Sequence, residues 1–195
     1  MKNYILSLAT VLCLLCTSGA YAQDLSAETL LDQAVSLSKN GDEAEAAKAL
    51  AEGTTALENE AKSSGGDLKD KILSKVGNLK SLTPLASSGK LQTGVLAKAV
   101  SAVKMLLGAN RISTLLGKGE SGLLGKASSV TSSLGLIKAG TSILGSDSQN
   151  QLNGLISEAT KSASGLDKKG TVGKLAAAAS SKQLGSIVKL VGSVL

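Results

Sequence analysis

The chain has 195 residues, a formal net charge of +6 and an aromatic content of 1%. Beyond residue 22 it contains no Trp, Tyr, Phe, His or Cys, because both tyrosines and both cysteines lie in the first 22 residues. This composition removes the usual general base near neutral pH, the commonest metal ligands, thiolate nucleophiles and disulfides. The sequence therefore predicts a protein that is not an enzyme and has no catalytic, cofactor-binding or metal site.

Residues 1–22 have the pattern of a secretory signal peptide. An apolar run extends to Cys16, and Ala20 and Ala22 stand at the two small-residue positions of a cleavage site. The apolar run is too short for a membrane-spanning helix, which needs about 20 apolar residues. We expect an exported protein that begins at Gln23 and is periplasmic or extracellular.

Residues 23–66 are predicted to form an acidic helical hairpin. Through Asp67, this part of the chain holds 3 Lys and 10 Asp or Glu, a balance of −7. Ser26 suits the N-cap of a first helix, and Asn40-Gly41 supplies residues that accept a left-handed conformation at its end. A second helix follows, in which apolar residues recur every three or four positions. The small and polar residues at 63–66 predict a linker.

Residues 67–195 are predicted to form a basic, glycine-rich helical body. From Leu68 onward there are 17 Lys or Arg and 5 acidic residues, a balance of +12. Glycine inside a helix costs about 1 kcal/mol relative to alanine, so we expect short helices separated by glycine. A helix capped by Asp67 is expected to end near Ser81, and Thr83-Pro84 to start the next, because proline fits the first turn of a helix.

The remaining short helices are expected near 122–134, 136–144, 148–164 and 171–179. Two segments with β-favouring residues, Arg111–Leu116 and Thr141–Leu144, leave short strands open as an alternative. The predicted fold class is all-α, with an N-terminal two-helix hairpin followed by a bundle of short amphipathic helices.

Two segments, residues 91–107 and 182–195, have a broad aliphatic face with lysine on its flanks. On a helical wheel the aliphatic residues of each segment gather on one side. They define a predicted interaction face formed by Leu91, Val95, Leu96, Val103, Leu106, Leu184, Ile187, Val191 and Val194. The predicted basic flank is formed by Lys98, Lys104, Lys182 and Lys189.

Such a face has two interpretations, and the sequence leaves both open. A helix that packs in the core of its own protein has an aliphatic face edged by lysine, since lysine stems cover apolar surface. A helix that meets lipid or another chain has the same pattern.

The sequence predicts an exported, non-enzymatic interaction protein that binds a protein partner, or itself, through amphipathic helices. The alternative is a peripheral membrane protein whose helices at 91–107 and 182–195 bind anionic lipid. A hydrolase that uses Ser, Lys or carboxylates is a third and less supported class. We expect no specific nucleic-acid partner, because the aromatic side chains on which single-stranded bases stack are missing.

Two short motifs match known functional patterns only in part. Gly117–Gly122 reads G-x-G-x-x-G, but the next acidic residue is Asp147 rather than one about 20 residues on, and no clear βαβ unit surrounds it. Ser36 and Lys39, among other pairs, have Ser-x-x-Lys spacing without the companion elements of penicillin-recognising enzymes. In a chain rich in Gly, Ser and Lys, such matches arise by chance.

Overall fold

The computed structural model describes residues 26–64 and 68–195. The predicted signal peptide at 1–22 lies outside these ranges. Residues 65–67, which hold the end of the predicted linker and the predicted Asp67 cap, lie outside them as well. The part of the chain that the structure describes is helical and contains no strand, which confirms the predicted all-α class.

Seven α-helices make up most of the described chain, and two 3₁₀ turns, Glu120–Gly122 and Thr141–Ile143, lie between them. The helices are α1 (Ala27–Asn40), α2 (Glu43–Ser64), α3 (Lys69–Ser87), α4 (Thr93–Leu116), α5 (Ala127–Gly140), α6 (Ser146–Ala163) and α7 (Thr171–Val194).

The ends of α1 form as the sequence predicts. The Ser26 hydroxyl accepts a hydrogen bond from the Thr29 N–H at 3.4 Å, which satisfies one free donor of the first turn. Gly41 takes a left-handed conformation with φ of 81°, and the Asp42 N–H then donates to the Leu37 carbonyl at 3.0 Å. The chain reverses here, and α2 packs against α1.

Helix α4 is shared by two closed rings of four helices. In the first ring α1, α2, α3 and α4 pack in sequence, and α1 packs against α4. In the second ring α4, α5, α6 and α7 pack in sequence, and α7 packs against α4. Neighbours therefore surround α4, and every residue from Ala102 to Asn110 except Lys104 is buried. One connected cluster of buried apolar residues includes members of all seven helices.

Glycine permits the close contact between α4 and α5. A Cβ on Gly108 would lie 2.5 Å from the Ser133 carbonyl oxygen, and a Cβ on Gly140 would lie 2.5 Å from the Ser101 carbonyl oxygen. Only a residue without a side chain fits at these distances. The contact offsets the intrinsic helix cost of Gly108, so α4 continues to Leu116, beyond the amphipathic segment expected at 91–107.

Helix α3 differs from the sequence prediction, because it does not end near Ser81 but continues through Pro84 to Ser87. Proline inside a helix removes one backbone hydrogen bond. Leu79 and Ala86 are buried on either side of the proline, and their packing keeps the helix continuous.

The middle of the chain also differs from the prediction. The possible strand at Arg111–Leu116 is the end of α4, and the one at Thr141–Leu144 is mostly a 3₁₀ turn. The helices expected at 171–179 and 182–195 are one helix, α7. The helix expected at 148–164 is found as α6, Ser146–Ala163. Tertiary packing overrides the local β propensity in both strand candidates.

Candidate interaction surfaces

The structure places most of the predicted α4 face in the core. Leu96, Val103 and Leu106 are each 0% exposed and belong to the connected apolar cluster. Leu91 is partly buried, and Val95 is 47% exposed. In the closed fold, therefore, only the start of this face is open to a partner.

The predicted face on α7 is buried to the same degree. Leu184, Ile187 and Val191 are each 0% exposed, and Val194 is partly buried. Six of the nine residues predicted as an interaction face thus pack inside the protein. A partner reaches these six residues only if the helices of the rings separate.

The predicted basic flank is mostly open to solvent. Lys98, Lys182 and Lys189 are exposed. Lys104 instead forms an ion pair with Asp32 of α1, with its Nζ 2.7 Å from Asp32 Oδ2, and its side chain is only 13% exposed. One of the four lysines is therefore part of an internal contact.

Three polar contacts hold α1 along α4. They join Ser38 to Thr93 at 3.1 Å, Asp32 to Lys104 at 2.7 Å and Glu28 to Arg111 at 3.1 Å. From the first of these contacts to the third, the residue number decreases in α1 and increases in α4. The two helices are therefore antiparallel. The acidic first helix therefore faces basic residues of α4.

Arg111, the one arginine in the sequence, joins three helices. Its Nε donates to Glu60 Oε1 of α2 at 2.6 Å, and its Nη2 donates to Glu60 Oε2 at 2.9 Å. Its two terminal nitrogens also reach the two carboxylate oxygens of Glu28 in α1. The planar guanidinium forms two such paired contacts, which lysine cannot do. We call Glu28, Asp32, Glu60, Lys104 and Arg111 the charge clamp.

Burial and ion pairing compete at the charge clamp. Burial raises the pKa of Glu28, but hydrogen bonds from Arg111 and the backbone outweigh it, so the net pKa is lowered. The hydrogen bonds to Glu60 raise the pKa of Arg111 despite its partial burial. In α2, hydrogen bonds from Lys62 and Lys80 lower the pKa of the partly exposed Glu58 to about 2. The lowered pKa values keep Glu28 and Glu58 charged at neutral pH.

A second surface forms where the loops after α4 and α6 meet the start of α7. The Gly125 N–H donates to the Leu166 carbonyl at 3.0 Å, and the Ala127 N–H donates to Asp167 Oδ1 at 3.2 Å. These two hydrogen bonds join the loop at 117–126 to the loop at 164–170. The G-x-G-x-x-G segment lies in the first loop and follows a helix rather than a strand.

Exposed aliphatic side chains lie on this surface. Leu124 is 37% exposed, Val172 is 53% exposed and Leu175 is 69% exposed. Leu124 lies beside the first turn of α7, since a Cβ on Gly173 would be 3.6 Å from Leu124 Cδ2. We call Val172 and Leu175, which are three residues apart on the exposed side of α7, the apolar patch.

Exposed lysines lie on the same two loops and the first turn of α7. The lysine rim consists of Lys118, Lys126, Lys168, Lys169 and Lys174, all exposed. These segments contain two acidic residues, Glu120 and Asp167. None of the five lysines forms an ion pair with another residue in 26–64 or 68–195. The rim therefore keeps a positive charge facing solvent.

No pattern in the sequence singles out the apolar patch. Its residues belong to a segment expected as a separate short helix at 171–179. A signal was present: Val172 and Leu175 are three residues apart, a spacing that puts them on one side of a helix. That spacing alone does not show whether this side faces solvent or the core.

A groove of about 430 Å³ between α4 and α5 is lined mainly by serine and threonine side chains. Its lining includes Ser128, Ser129 and Ser132 of α5 opposite Arg111 and Thr114 of α4. The Arg111 guanidinium is already bound by two carboxylates. The groove therefore offers hydroxyl groups rather than a free cation to a ligand.

Among residues 26–64 and 68–195, no group of three or more His, Cys, Asp or Glu is placed to hold a metal ion. In the same ranges, no helix has the length and apolarity needed to cross a membrane. Comparison with protein-family models, curated proteins and solved structures gave no match.

Proposed function

We propose that the protein is a non-enzymatic interaction protein, exported by the signal peptide at residues 1–22, that works by reversible association through the apolar patch. One observation carries this proposal. Two of the five exposed large hydrophobic residues in the described chain, Val172 and Leu175, are neighbours on the first two turns of α7. Clustered apolar side chains rimmed by polar residues mark interaction sites.

The charge distribution supports the same surface. At the charge clamp, Lys104 and Arg111 are neutralised by carboxylates of α1 and α2. At the lysine rim, five lysines meet only two acidic residues and form no ion pair in the described chain. The unpaired positive charge is available to attract a partner.

Association with the isolated cell envelope of the source organism tests this function. The purified protein is mixed with the envelope fraction, and the bound share is measured after sedimentation. The test variant is Val172→Ser/Leu175→Ser. The matched control is Leu85→Ser, because Leu85 is 42% exposed but lies on α3, away from the patch. Sedimentation velocity over a range of protein concentrations measures self-association with the same variants.

We expect the wild type and Leu85→Ser to associate in one of the two assays and Val172→Ser/Leu175→Ser to lose that association. Equal association of all three proteins would contradict the proposal. A wild type that stays monomeric at every concentration and does not sediment with the envelope would contradict it as well.

Lipid binding by helices 91–107 and 182–195 is a different proposal, with a different structural requirement. Its key residues, such as Val103 and Ile187, are 0% exposed. Both helical rings would have to open before these faces met lipid. The apolar patch needs no such opening, and this favours it as the contact surface.

A further inference from the structure

We propose that the apolar patch docks the protein on an anionic membrane surface, with Val172 and Leu175 entering the headgroup region and the lysine rim contacting lipid phosphates. This inference rests on the proposed function and names the partner of the same surface. It differs from the lipid-binding alternative predicted from the sequence, in which the aliphatic faces of 91–107 and 182–195 contact the membrane.

The backbone at the start of α7 fixes the direction of the patch. Gly170 has a φ of 70°, a conformation that favours glycine, and α7 begins at the next residue. A Cβ on Gly173 would collide with the Lys168 carbonyl oxygen, so this face of the first turn lies directly against the preceding loop. Leu175 stands two residues further, on the opposite side of the helix, where it is 69% exposed.

The exposed side of α7 remains apolar for two turns. Val172 and Leu175 are three residues apart, so they are neighbours on the helix surface. Ala178 and Ala179 follow on the same side and are also exposed. Lys182 ends this stripe. Its aliphatic groups carry no polar atoms that would have to be desolvated at a bilayer interface, so their burial there is favourable.

The lysine rim supplies the electrostatic attraction. It carries five positive charges against two negative ones, and its lysines are exposed. Each lysine close to an anionic bilayer strengthens binding by about fivefold, and the effect is screened by salt. A small apolar patch alone holds a protein weakly at a membrane, so this charge determines which membranes bind.

The same charge disfavours a second copy of this chain as the occupant. In a two-fold symmetric dimer formed through the apolar patch, the same surface of each copy would meet, so the two lysine rims would lie against each other. Like charges brought together at an interface oppose association. An anionic lipid surface instead offers the opposite charge to every lysine of the rim.

Vesicle cosedimentation of the purified protein tests the proposal. The probes are vesicles of phosphatidylcholine alone and vesicles of phosphatidylcholine mixed with phosphatidylglycerol. Two variants change the surface: Val172→Ser/Leu175→Ser removes aliphatic groups, and Lys168→Gln/Lys169→Gln removes charge. Their matched controls are Leu85→Ser and Lys98→Gln, which alter exposed residues on α3 and α4. Far-UV circular dichroism verifies that each variant is folded.

We expect the wild type and both controls to bind the vesicles that contain phosphatidylglycerol and not those of phosphatidylcholine alone. The patch variant should lose about tenfold in binding, and the variant without the two lysines about 25-fold. Absence of binding to both vesicles, equal binding to both, or unchanged binding by the surface variants would each overturn the proposal. If the patch variant lost envelope association or self-association while pure lipid bound nothing, the lipid inference would fail and the proposed function would stand.

Discussion

The charge clamp and the apolar patch use similar residues in opposite ways. At the clamp, Lys104 and Arg111 of α4 pair with carboxylates, and the adjacent aliphatic residues of α4 are covered by α1 and its neighbours. At the patch, lysines have no described ion-pair partner and Leu175 is 69% exposed. A lysine-flanked aliphatic segment is therefore buried where other helices cover it, and it faces solvent where no helix does.

The largest effect should come from the core of α4. Replacing Leu106, which is 0% exposed, with alanine should lower the free energy of unfolding by about 2–5 kcal/mol, because it leaves a cavity. Val95→Ala is the matched control in the same helix, since Val95 is 47% exposed, and should change stability by less than about 0.5 kcal/mol. Urea denaturation followed by far-UV circular dichroism measures both. Equal losses for the two variants would mean that α4 is not buried as described.

The charge clamp should give the next largest effect. Arg111→Ala leaves Glu28 and Glu60 half-buried without a cation and should cost about 1–3 kcal/mol, a range reduced for their partial solvent exposure. Arg111→Lys keeps the charge but loses the paired hydrogen bonds, so its loss should be intermediate. The exposed Lys98→Ala serves as control in the same urea experiment. An Arg111→Ala protein as stable as this control would show that the clamp contributes nothing.

Acid should weaken the contacts of the acidic helices by a smaller amount. Folding lowers the pKa of Glu28 and lowers that of Glu58 from 4.5 to about 2. A carboxyl whose pKa is lower in the folded than in the unfolded protein stabilises the fold at pH values above its unfolded-state pKa. This stabilisation is lost as the pH falls through its folded-state pKa. The wild type should therefore exceed Glu28→Gln/Glu58→Gln in free energy of unfolding by the largest amount above pH 4.5, and this difference should shrink toward pH 2. Urea melts across this range measure it, and a difference that grows on acidification would contradict the assignment.

The smallest effect on stability should come from the patch itself. Leu175→Ser should change the free energy of unfolding by less than about 0.5 kcal/mol, because Leu175 is 69% exposed and covers little of the core. The same urea melts measure this value. A loss comparable to that of Leu106→Ala would show that Leu175 packs inside the protein, and the contrast between the two regions would disappear.

Local signals in the sequence predict part of the fold. The Ser26 cap, the left-handed Gly41 and the all-α class depend on short-range chemistry, and all three are found. The length of the helices was not predictable in this way. The cost of glycine in a helix is local, but its compensation at Gly108 comes from the Ser133 backbone, 25 positions away in the chain.

The candidate surface was harder to predict than the fold. The wheel for 91–107 treats one helix in isolation, whereas α4 has packed neighbours from both rings and is buried on all sides near Leu106. The exposure of Val172 and Leu175 depends on which side of α7 the preceding loop covers, and this loop lies against the Gly173 side. No periodicity within one segment contains that information.

Hydrogen–deuterium exchange with and without phosphatidylglycerol vesicles most directly tests the claim that the apolar patch, and not the buried helix faces, is the contact surface. We predict slower exchange at 117–126 and 164–175 when vesicles are added, with unchanged exchange at 91–107 and 182–195. Faster exchange at 91–107 and 182–195, with no change in the two loops, would contradict the account, because it would mean that the rings open to expose their core faces.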